Sequence, residues 1–490
     1  MKILLVEPRT PETFWSLRHA LRFVGRRAAN PPLGLLTLAG LLPHDWSYRL
    51  VDQNTCELTD ADIAWADYVM VSAMVIHSQE VATLGARCRT LERPLIGGGP
   101  LFRAETDASL GVDHVVVGEA EELAAELVAD MIRGRVKPRY LAQRYPDLAL
   151  TPQPRWDLIH LEHYATLSVQ SCRGCPFDCE FCDVVVLNGR RPRYKSPAQF
   201  VDELETLRAL GWRGPVFVVD DNFVGDKRRC RDLLRAVIAW RERTGARMTF
   251  LTEASVDMAA SPEILELMVA AGFKKVFLGL ETPSATSLRE CRKLQNLRCD
   301  LTDSVRTIQG AGLEVMGGFI VGFDSDEADI FQRQFDFIQQ TGVVTAMVGL
   351  LQALPNSRLY KRLAGEGRLR NQSSGDNTSA GFNFEPRLDR DFLLDNYRDL
   401  MKRLYEPGAY YQRIRTFLDA HHRRGPQEVL TWRDIRALLR SLWFMGVIHR
   451  GRLAFWRLVI GTLARHPRQI GIAVTMVIMG HHYRVVAGGL

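Results

Sequence analysis

Between Ser171 and Asp183 the chain reads S-C-R-G-C-P-F-D-C-E-F-C-D, which puts Cys172, Cys175, Cys179 and Cys182 within eleven residues. Two chemistries use thiolates packed this densely. Cys175, Cys179 and Cys182 have the spacing C-x3-C-x2-C, and three thiolates can hold three irons of a four-iron cluster while the fourth iron stays open to an exchangeable ligand. The alternative is a structural zinc on all four cysteines, which would make the chain a zinc-stabilised binding protein. Zinc modules separate their two thiolate pairs by about a dozen residues or more, so the three found here are cramped. The triad is the better fit. It leaves Cys172 as the odd one out, because a fourth thiolate would fill the position the exchangeable ligand needs. Cys56, Cys88, Cys230, Cys291 and Cys299 are scattered and read as small buried hydrophobes.

A loop this reactive has to be positioned, and the flanking sequence predicts how. From about Tyr164 the runs "TLSVQS", "PVFVVDD", "MTFLTE", "KVFLGLE", "VMGGFIVGFD" and "AMVGLLQALP" alternate with helical patterns, a rhythm of six βα units that predicts an incomplete (β/α) barrel. Asp220, Asp221 and Asn222 follow the second run, Glu253 the third, Glu281 the fourth, Asp324 the fifth and Gln352 the sixth. Any one of these could be a turn former or a helix cap; polar residues at all the strand ends together are how barrel enzymes build a site.

Upstream, "KILLVEP", "YRLVDQ", "YVMVSAM", "RPLIGGGP" and "HVVVGEAE" are separated by segments of helical spacing and predict a five-stranded, doubly wound parallel sheet, which binds ligands at the carboxyl ends of its strands. A proline-rich connector, "YPDLALTPQPRWDLI", divides the two halves. The resulting organisation is 1–150, 160–385, and a helical region 386–490. "RNQSSGDNTSAG", Arg370 to Gly381, has turn-forming composition and predicts a mobile loop.

At 490 residues, 46% hydrophobic and 24% charged, the chain is long enough for two or three domains with sizeable cores. No basic-then-apolar signal opens "MKILLVEPR", and nine cysteines without one predict a reducing, cytoplasmic setting. The net charge of +6 is unevenly spread. From Thr431 to Leu490 there are nine arginines, no lysine and one acid, Asp434, which gives +8 against −2 for the rest and assigns no nucleic-acid partner. The apolar core of the longest uncharged run, Gln469 to Tyr483, is too short for a membrane span. Two placements fit the tail. It can pack onto the barrel with its arginines solvated, or it can lie on the inner face of an anionic membrane with Trp443, Phe444, Phe455 and Trp456 among its apolar residues.

The cysteine triad, with Phe181 just before its last member and a position after the first barrel strand, resembles the radical S-adenosylmethionine (SAM) enzymes. The resemblance implies a 4Fe–4S cluster on Cys175, Cys179 and Cys182 whose open iron binds SAM. It also implies an external one-electron donor of flavodoxin or ferredoxin type and a closed barrel around the radical. "GGFIVGFD" resembles the strand that packs on the SAM adenine, where Gly318 and Gly322 would admit the nucleoside; the acid usual at its end is displaced, with Ser325 between Asp324 and Asp326. "DDNF", Asp220 to Phe223, stands where many relatives carry a Gly-Gly-Glu stretch for the SAM ammonium, and Glu253 belongs to the same ring of strand ends. Glu281 in "GLETPS" would reach the SAM ribose or amino group.

The first half resembles the cobalamin-binding domain of the B12-dependent branch of these enzymes in "PPLGLLTLAGLL", "IGGGPLF" and "VVVGEAEE". Gly97, Gly98 and Gly99 would give backbone access to the corrin side chains, with Gly118 and Glu119 in a second contact loop. The D-x-H-x-x-G signature that sets a histidine under cobalt is absent, and His77 after the third strand reads as a surface or capping residue. The resemblance implies a cobalamin-dependent methyltransferase acting on an unactivated carbon. "VFVVDDNFVGDK" and "FIVGF" are similar to the hopanoid methylase group, which points to a small-molecule, lipid or isoprenoid substrate. A B12-dependent cyclisation or rearrangement without methyl transfer is the other enzymatic reading.

Overall fold

The computed structural model describes residues 1–103, 110–422, 424–425, 432–449 and 451–490. The first sheet comprises β1 (Lys2–Glu7), β2 (Ser47–Asp52), β3 (Tyr68–Ser72), β4 (Leu95–Gly98), β5 (His114–Val117) and β6 (Arg139–Leu141). All its strands are parallel, in the order β2-β1-β3-β4-β5-β6. It has one strand more than its apolar runs predict. β6 is three residues long with only its middle residue buried, so it carries no run to read. Helices cover both faces, and alternate side chains of one strand enter different cores: Leu4 and Val6 join Val69 and Leu84, while Ile3 and Leu5 join Met70 and Leu123. The order reverses between β1 and β3, and that switch point is where such sheets open a crevice.

The second sheet holds β7 (Leu167–Val169), β10 (Val216–Val218), β11 (Phe250–Ala254), β12 (Phe273–Glu281), β13 (Glu314–Val321) and β14 (Ala346–Leu350). They pair in parallel in chain order, with β7 and β14 at the open edges. All six predicted barrel strands are present. β8 (Cys172–Arg173) and β9 (Arg193–Tyr194) form a small antiparallel pair that frames the cysteine loop.

The C-terminal region shares one continuous core with the barrel. Its last helix, Ile470–Gly488, stacks Tyr483 on Phe14 with centroids 4.1 Å apart, and the Tyr410 hydroxyl donates to the Met476 carbonyl at 2.7 Å. The segment Pro467–Gly488 is 22 residues long and apolar enough to cross a membrane, although half of that window is buried in protein. The apolar stretch outruns its sequence reading because His481, His482 and Arg484 do not end the helix. His482 is buried and its Nε2 bonds the carbonyls of Thr13 and Phe14, both at 3.1 Å. The polar stretch Arg370 to Gly381 is also held more firmly than its composition implies. Thr378 is buried, its carbonyl accepts the Tyr397 hydroxyl at 3.1 Å, and a side chain on Gly375 would meet the Ile76 backbone.

Two glycines test this packing. A Cβ on Gly480 would overlap the Tyr410 ring, while one on Gly461, in the helix Arg452–Arg465, would meet nothing within 4 Å. Gly480→Ala should destabilise the protein by about 1–3 kcal/mol through overpacking. Gly461→Ala should stabilise it by up to about 1 kcal/mol through helix propensity. Thermal unfolding of the two variants checks both signs.

Candidate active site

The cysteine loop is held open from both ends by two adjacent carboxylates. Asp220, buried at the end of β10, accepts from the backbone N–H of Ser171 at 2.7 Å and of Cys172 at 2.9 Å, and also from the Ser171 hydroxyl. Burial pushes its carboxyl up to about 6 even so. Asp221 accepts from Gly174 N–H at 2.7 Å and from the Asn188 amide at 2.9 Å. Both aspartates of "DDNF" are therefore engaged by the loop itself. Asn222 turns inward, and its amide donates to Ser255 Oγ at 3.2 Å and lies 3.9 Å from Cys175 Sγ.

The triad and Cys172 occupy different surroundings. The Cys172 thiol is fully buried beside Tyr194, where burial and the Asp220 charge push its pKa well up. Around the triad, the Gln295 amide donates to Cys179 Sγ at 3.8 Å. The Lys293 ammonium lies 2.7 Å from Glu281 and 5.9 Å from the Phe181 ring centroid. Burial raises all three thiols, Cys182 to about 12, and the Lys293 charge pulls each back. Cluster binding must therefore expel protons from this pocket, and the amides and ammonium are the groups that favour thiolate there. No three Cys, His, Asp or Glu side chains among the described residues converge on a single point as one metal ion would need. A tetrahedral zinc requires its sulfurs about 3.8 Å apart, given its bond length of about 2.3 Å. Three cysteines serving three separate irons do not. The donor set fits an iron–sulfur cluster.

Glu281 is forced into the left-handed region at φ 62°, where β12 slips register against β13. A strained non-glycine residue at a strand end is a mark of functional sites. Gly279 makes room for it, since a Cβ there would collide with Glu281 and Lys293. The side-chain carboxyl of Glu253, on β11, has no hydrogen-bond or ion-pair partner among the described residues, and burial, then Asp221 and Asp220, raise it to about 7. Phe217, Leu251, Phe277 and Met347 are the half-buried, inward positions of their strands, so the lumen is apolar apart from these few ionisable groups. Gly318 and Gly322 serve internal packing: Cβ atoms there would lie 2.8 Å from the rings of Phe277 and Phe382. At the end of β13, Asp324 pairs with Arg362 and Arg368, Asp326 caps the turn at Gly322 and Phe323, and Gln352 bonds the Gly381 carbonyl.

The first domain closes over this loop. Glu119, after β5, pairs with Arg173 at 2.5 Å and with Arg193 at 2.5 Å, and Arg173 also reaches Glu121 at 2.8 Å. Arg103 lies 3.6 Å from Asp183, the residue after Cys182. From the loop after β1, Trp15 donates to Met347 Sδ at 3.1 Å and packs edge-on against Phe277. The strand ends of the first sheet thus face the cysteine loop and the mouth of the barrel. Of the glycines predicted there, Gly99 and Gly118 adopt φ of 93° and 102°, and side chains on Gly97 and Gly118 would strike Phe102 and Ala142. Gly98 alone has room for a side chain, whose Cβ would lie 3.8 Å from the Val116 carbonyl oxygen. His77 is buried, its Nδ1 accepting from Met74 N–H and its Nε2 bonding Thr10 Oγ1, each at 3.3 Å, which makes it a capping residue. Lys293, Gln295 and Arg173 carry no role in the sequence reading. Arg173 stands inside the cysteine motif, whereas Lys293 and Gln295 follow β12 in a segment with no periodicity or spacing to mark them.

Residues 169–337 match the radical SAM superfamily, and residues 357–489 match a domain of unknown function (DUF4070). An uncharacterized methyltransferase of Synechocystis sp. is 39% identical over 99% of this chain and 91% of its own length. The hopanoid C-2 methylase of Rhodopseudomonas palustris is 34% identical over 99% of this chain and 93% of its own. Among solved structures, the methyltransferase TsrM from Kitasatospora setae, with cobalamin and a 4Fe–4S cluster bound, superposes with TM-score 0.62 at 15% identity over 99% of both chains. The cobalamin-dependent radical SAM enzyme OxsB gives 0.63 at 13% identity, covering 100% of this chain and 79% of its own. The chain belongs to the radical SAM superfamily, in the family of the hopanoid C-2 methylase, and its fold is the one seen in the two cobalamin-dependent structures. Its cofactors include a 4Fe–4S cluster and SAM.

Two expectations follow. Replacing Cys175, Cys179 or Cys182 by Ala should abolish the brown chromophore and SAM cleavage together, while Cys172→Ala keeps both; loss of the chromophore in that variant would move the cluster onto Cys172. Lys293→Gln removes the cation that lowers the triad thiols, so in-vitro cluster assembly should require higher pH. Its loss also leaves Glu281 buried and unpaired, at a cost of about 3 kcal/mol or more. Chromophore yield against pH, with chemical unfolding, reads both effects.

Proposed function

We propose that this protein transfers a methyl group to an unactivated carbon of an apolar lipid or isoprenoid-type substrate, using cobalamin bound on the first domain. The observation that carries this reading is the juxtaposition of the two sites. Glu119 and Glu121 clamp Arg173 inside the cysteine loop, so the strand-end crevice of the first sheet faces the barrel lumen. When bound, the cluster and SAM supply a carbon-centred radical and cobalamin supplies the methyl group.

The chain's own residues hold these groups apart from water and from one another. Cys175, Cys179 and Cys182 would hold the cluster; the Asn222 and Gln295 amides donate to the sulfurs of Cys175 and Cys179. Glu281, steadied by Lys293, and the unpaired Glu253 carboxyl would meet the ammonium and ribose of SAM. Met74, half exposed beyond β3, and Gly98 border the crevice for the corrin. Phe217, Phe277, Met347 and Trp15 form the hydrocarbon wall of the chamber, as a lipid-type substrate requires, with the ionisable groups gathered at its cofactor side.

The same reading places the protein in the cytoplasm, includes contact of the basic tail with a membrane, and calls for an external one-electron donor. Arg190, Arg292 and Arg298 line a surface hollow with Phe177 and Leu294 beside the cysteine loop, and Arg358 joins Arg190 and Arg292 around the single acid there, Asp178; the net basic face suits an acidic flavodoxin- or ferredoxin-like protein.

Anaerobic incubation with SAM, cobalamin, reductant and a total lipid extract, followed by mass spectrometry, tests the proposal. The expected product gains one CH2 unit, and label from methyl-deuterated SAM accompanies it. A product isomeric with its substrate would replace methylation by rearrangement.

A further inference from the structure

The C-terminal helices carry an apolar surface that stays exposed among the described residues. On the helix Trp432–Trp443, the residues Trp432, Ile435, Leu439 and Trp443 recur at three- and four-residue intervals along one face, and Trp432 and Trp443 are 83% and 64% exposed. The turn that follows, Phe444–Ile448, adds Val447 and Ile448. The next helix, Arg452–Arg465, repeats the pattern with Leu453, Trp456, Ile460 and Leu463, of which Leu453 and Ile460 are 71% and 63% exposed. Its opposite face, Phe455, Leu458 and Val459, is buried in the core. The apolar stripes therefore point outward by construction; they do not come from frayed ends. Single exposed apolar residues need no explanation, but two continuous stripes joined by an apolar turn do.

The charge around the stripes identifies what covers them. On the helix Arg452–Arg465, Arg452 and Arg457 lie on either side of the exposed stripe, and Arg465 sits at its end. Arg436 borders the stripe of the first helix, and all four arginines are exposed. The last sixty residues contain a single acid, Asp434. Tryptophan and aliphatic side chains flanked by arginine match the boundary of an anionic bilayer, where indoles sit at headgroup level and cations meet phosphates. A second copy of this chain is a poor occupant, because a two-fold contact would set one arginine-lined face against another.

We infer that this helical pair is a monotopic membrane-docking surface for the cytosol-facing, anionic side of a bilayer. Of the four aromatic residues the sequence suggests, Trp443 and Trp456 lie on the exposed stripes and two do not. Phe455 is fully buried, and Phe444 is half-buried against Phe23 and His481, so neither reaches lipid. The last helix stays in the protein as the floor under the pair. Docking would orient the molecule with the helix Arg18–Val24 near the membrane, since Arg440 bonds the carbonyls of Arg22 and Phe23. That helix leads directly from Trp15 at the barrel mouth. The inference does not depend on the reaction proposed above, which can be assayed in detergent whatever the vesicles show.

The test uses full-length, cluster-loaded protein and sedimentation with phosphatidylcholine vesicles, with and without phosphatidylglycerol, at low and high salt. The protein should sediment with the anionic vesicles and do so less at high salt. Leu453→Ser/Ile460→Ser/Leu463→Ser should lower the partition coefficient at least about tenfold, with chromophore and thermal transition unchanged. Arg452→Gln/Arg457→Gln/Arg465→Gln should remove the preference for anionic lipid. If the apolar variant fails to fold, quenching of the unmodified protein's tryptophan fluorescence by bromine-labelled lipid replaces it. Full-length protein that stays in the supernatant, an apolar variant that still sediments, or tryptophans that remain unquenched would each overturn the inference. So would a dimer that the apolar substitutions dissolve.

Discussion

The arrangement turns on one buried ion cluster. Arg173, inside the cysteine loop, and Arg193, beyond it, meet Glu119 and Glu121 from the opposite domain, and all four side chains are mostly buried. The set is neutral, and such sets are weak contributors to stability, because the cost of desolvation consumes most of their attraction. Their value lies in registry. A displacement of either domain would strand a buried charge at a cost of about 3–5 kcal/mol, so one relative position is favoured over its neighbours. Arg103 against Asp183 and the Tyr164 hydroxyl against Asp52, at 2.9 Å, pin the same interface at separate points. The proposed methyl transfer depends on that registry, because the reacting carbon would have to lie within reach of both domains' sites.

A second constraint operates within the barrel. Soft anionic ligands must be gathered in a buried site, yet burial opposes thiolate formation. The chain answers with one ammonium, Lys293, whose own burial is offset by Glu281. Glu281 in turn is placed by a left-handed backbone and by the absence of a side chain at Gly279. Each residue in this series is explicable only through the next, and the strain at Glu281 is tolerated because the Lys293 pair fixes its side chain.

This interdependence explains what could be read from the sequence. The strands were legible because their apolar runs are local, and so was the cysteine triad, because its spacing is a local property. The loop after β10 was legible only as polar: nothing in "DDNF" says that Asp220 and Asp221 turn back to the backbone of the cysteine loop while Asn222 turns inward. Lys293 and Gln295 reach the cysteines across more than a hundred residues of sequence, and no periodicity marks them. Glu119 was singled out for a cofactor loop, but its partners lie in the other domain. The glycines divide in the same way: a turn signal such as Gly97 to Gly99 shows where the backbone bends without showing whether protein or ligand fills the space beside it.

The segment after β1 shows how the three regions become one machine. Phe14 stacks on Tyr483 of the last helix, Trp15 packs against Phe277 and Met347 of the barrel, and Ala28 bridges to Tyr164 at the barrel's entry. The segment is covalently continuous with the first sheet, so the domain, the barrel mouth and the tail cannot separate without unpacking two aromatic contacts. That coupling gives the tail a dual character. Its inner helix is as much a part of the barrel core as any strand-covering helix, and the surface of its outer pair is thereby held rigidly relative to the mouth. A flexible amphipathic tail could bind lipid equally well but would leave the barrel free to face any direction. A rigid one sets the angle at which the chamber meets whatever the outer helices touch.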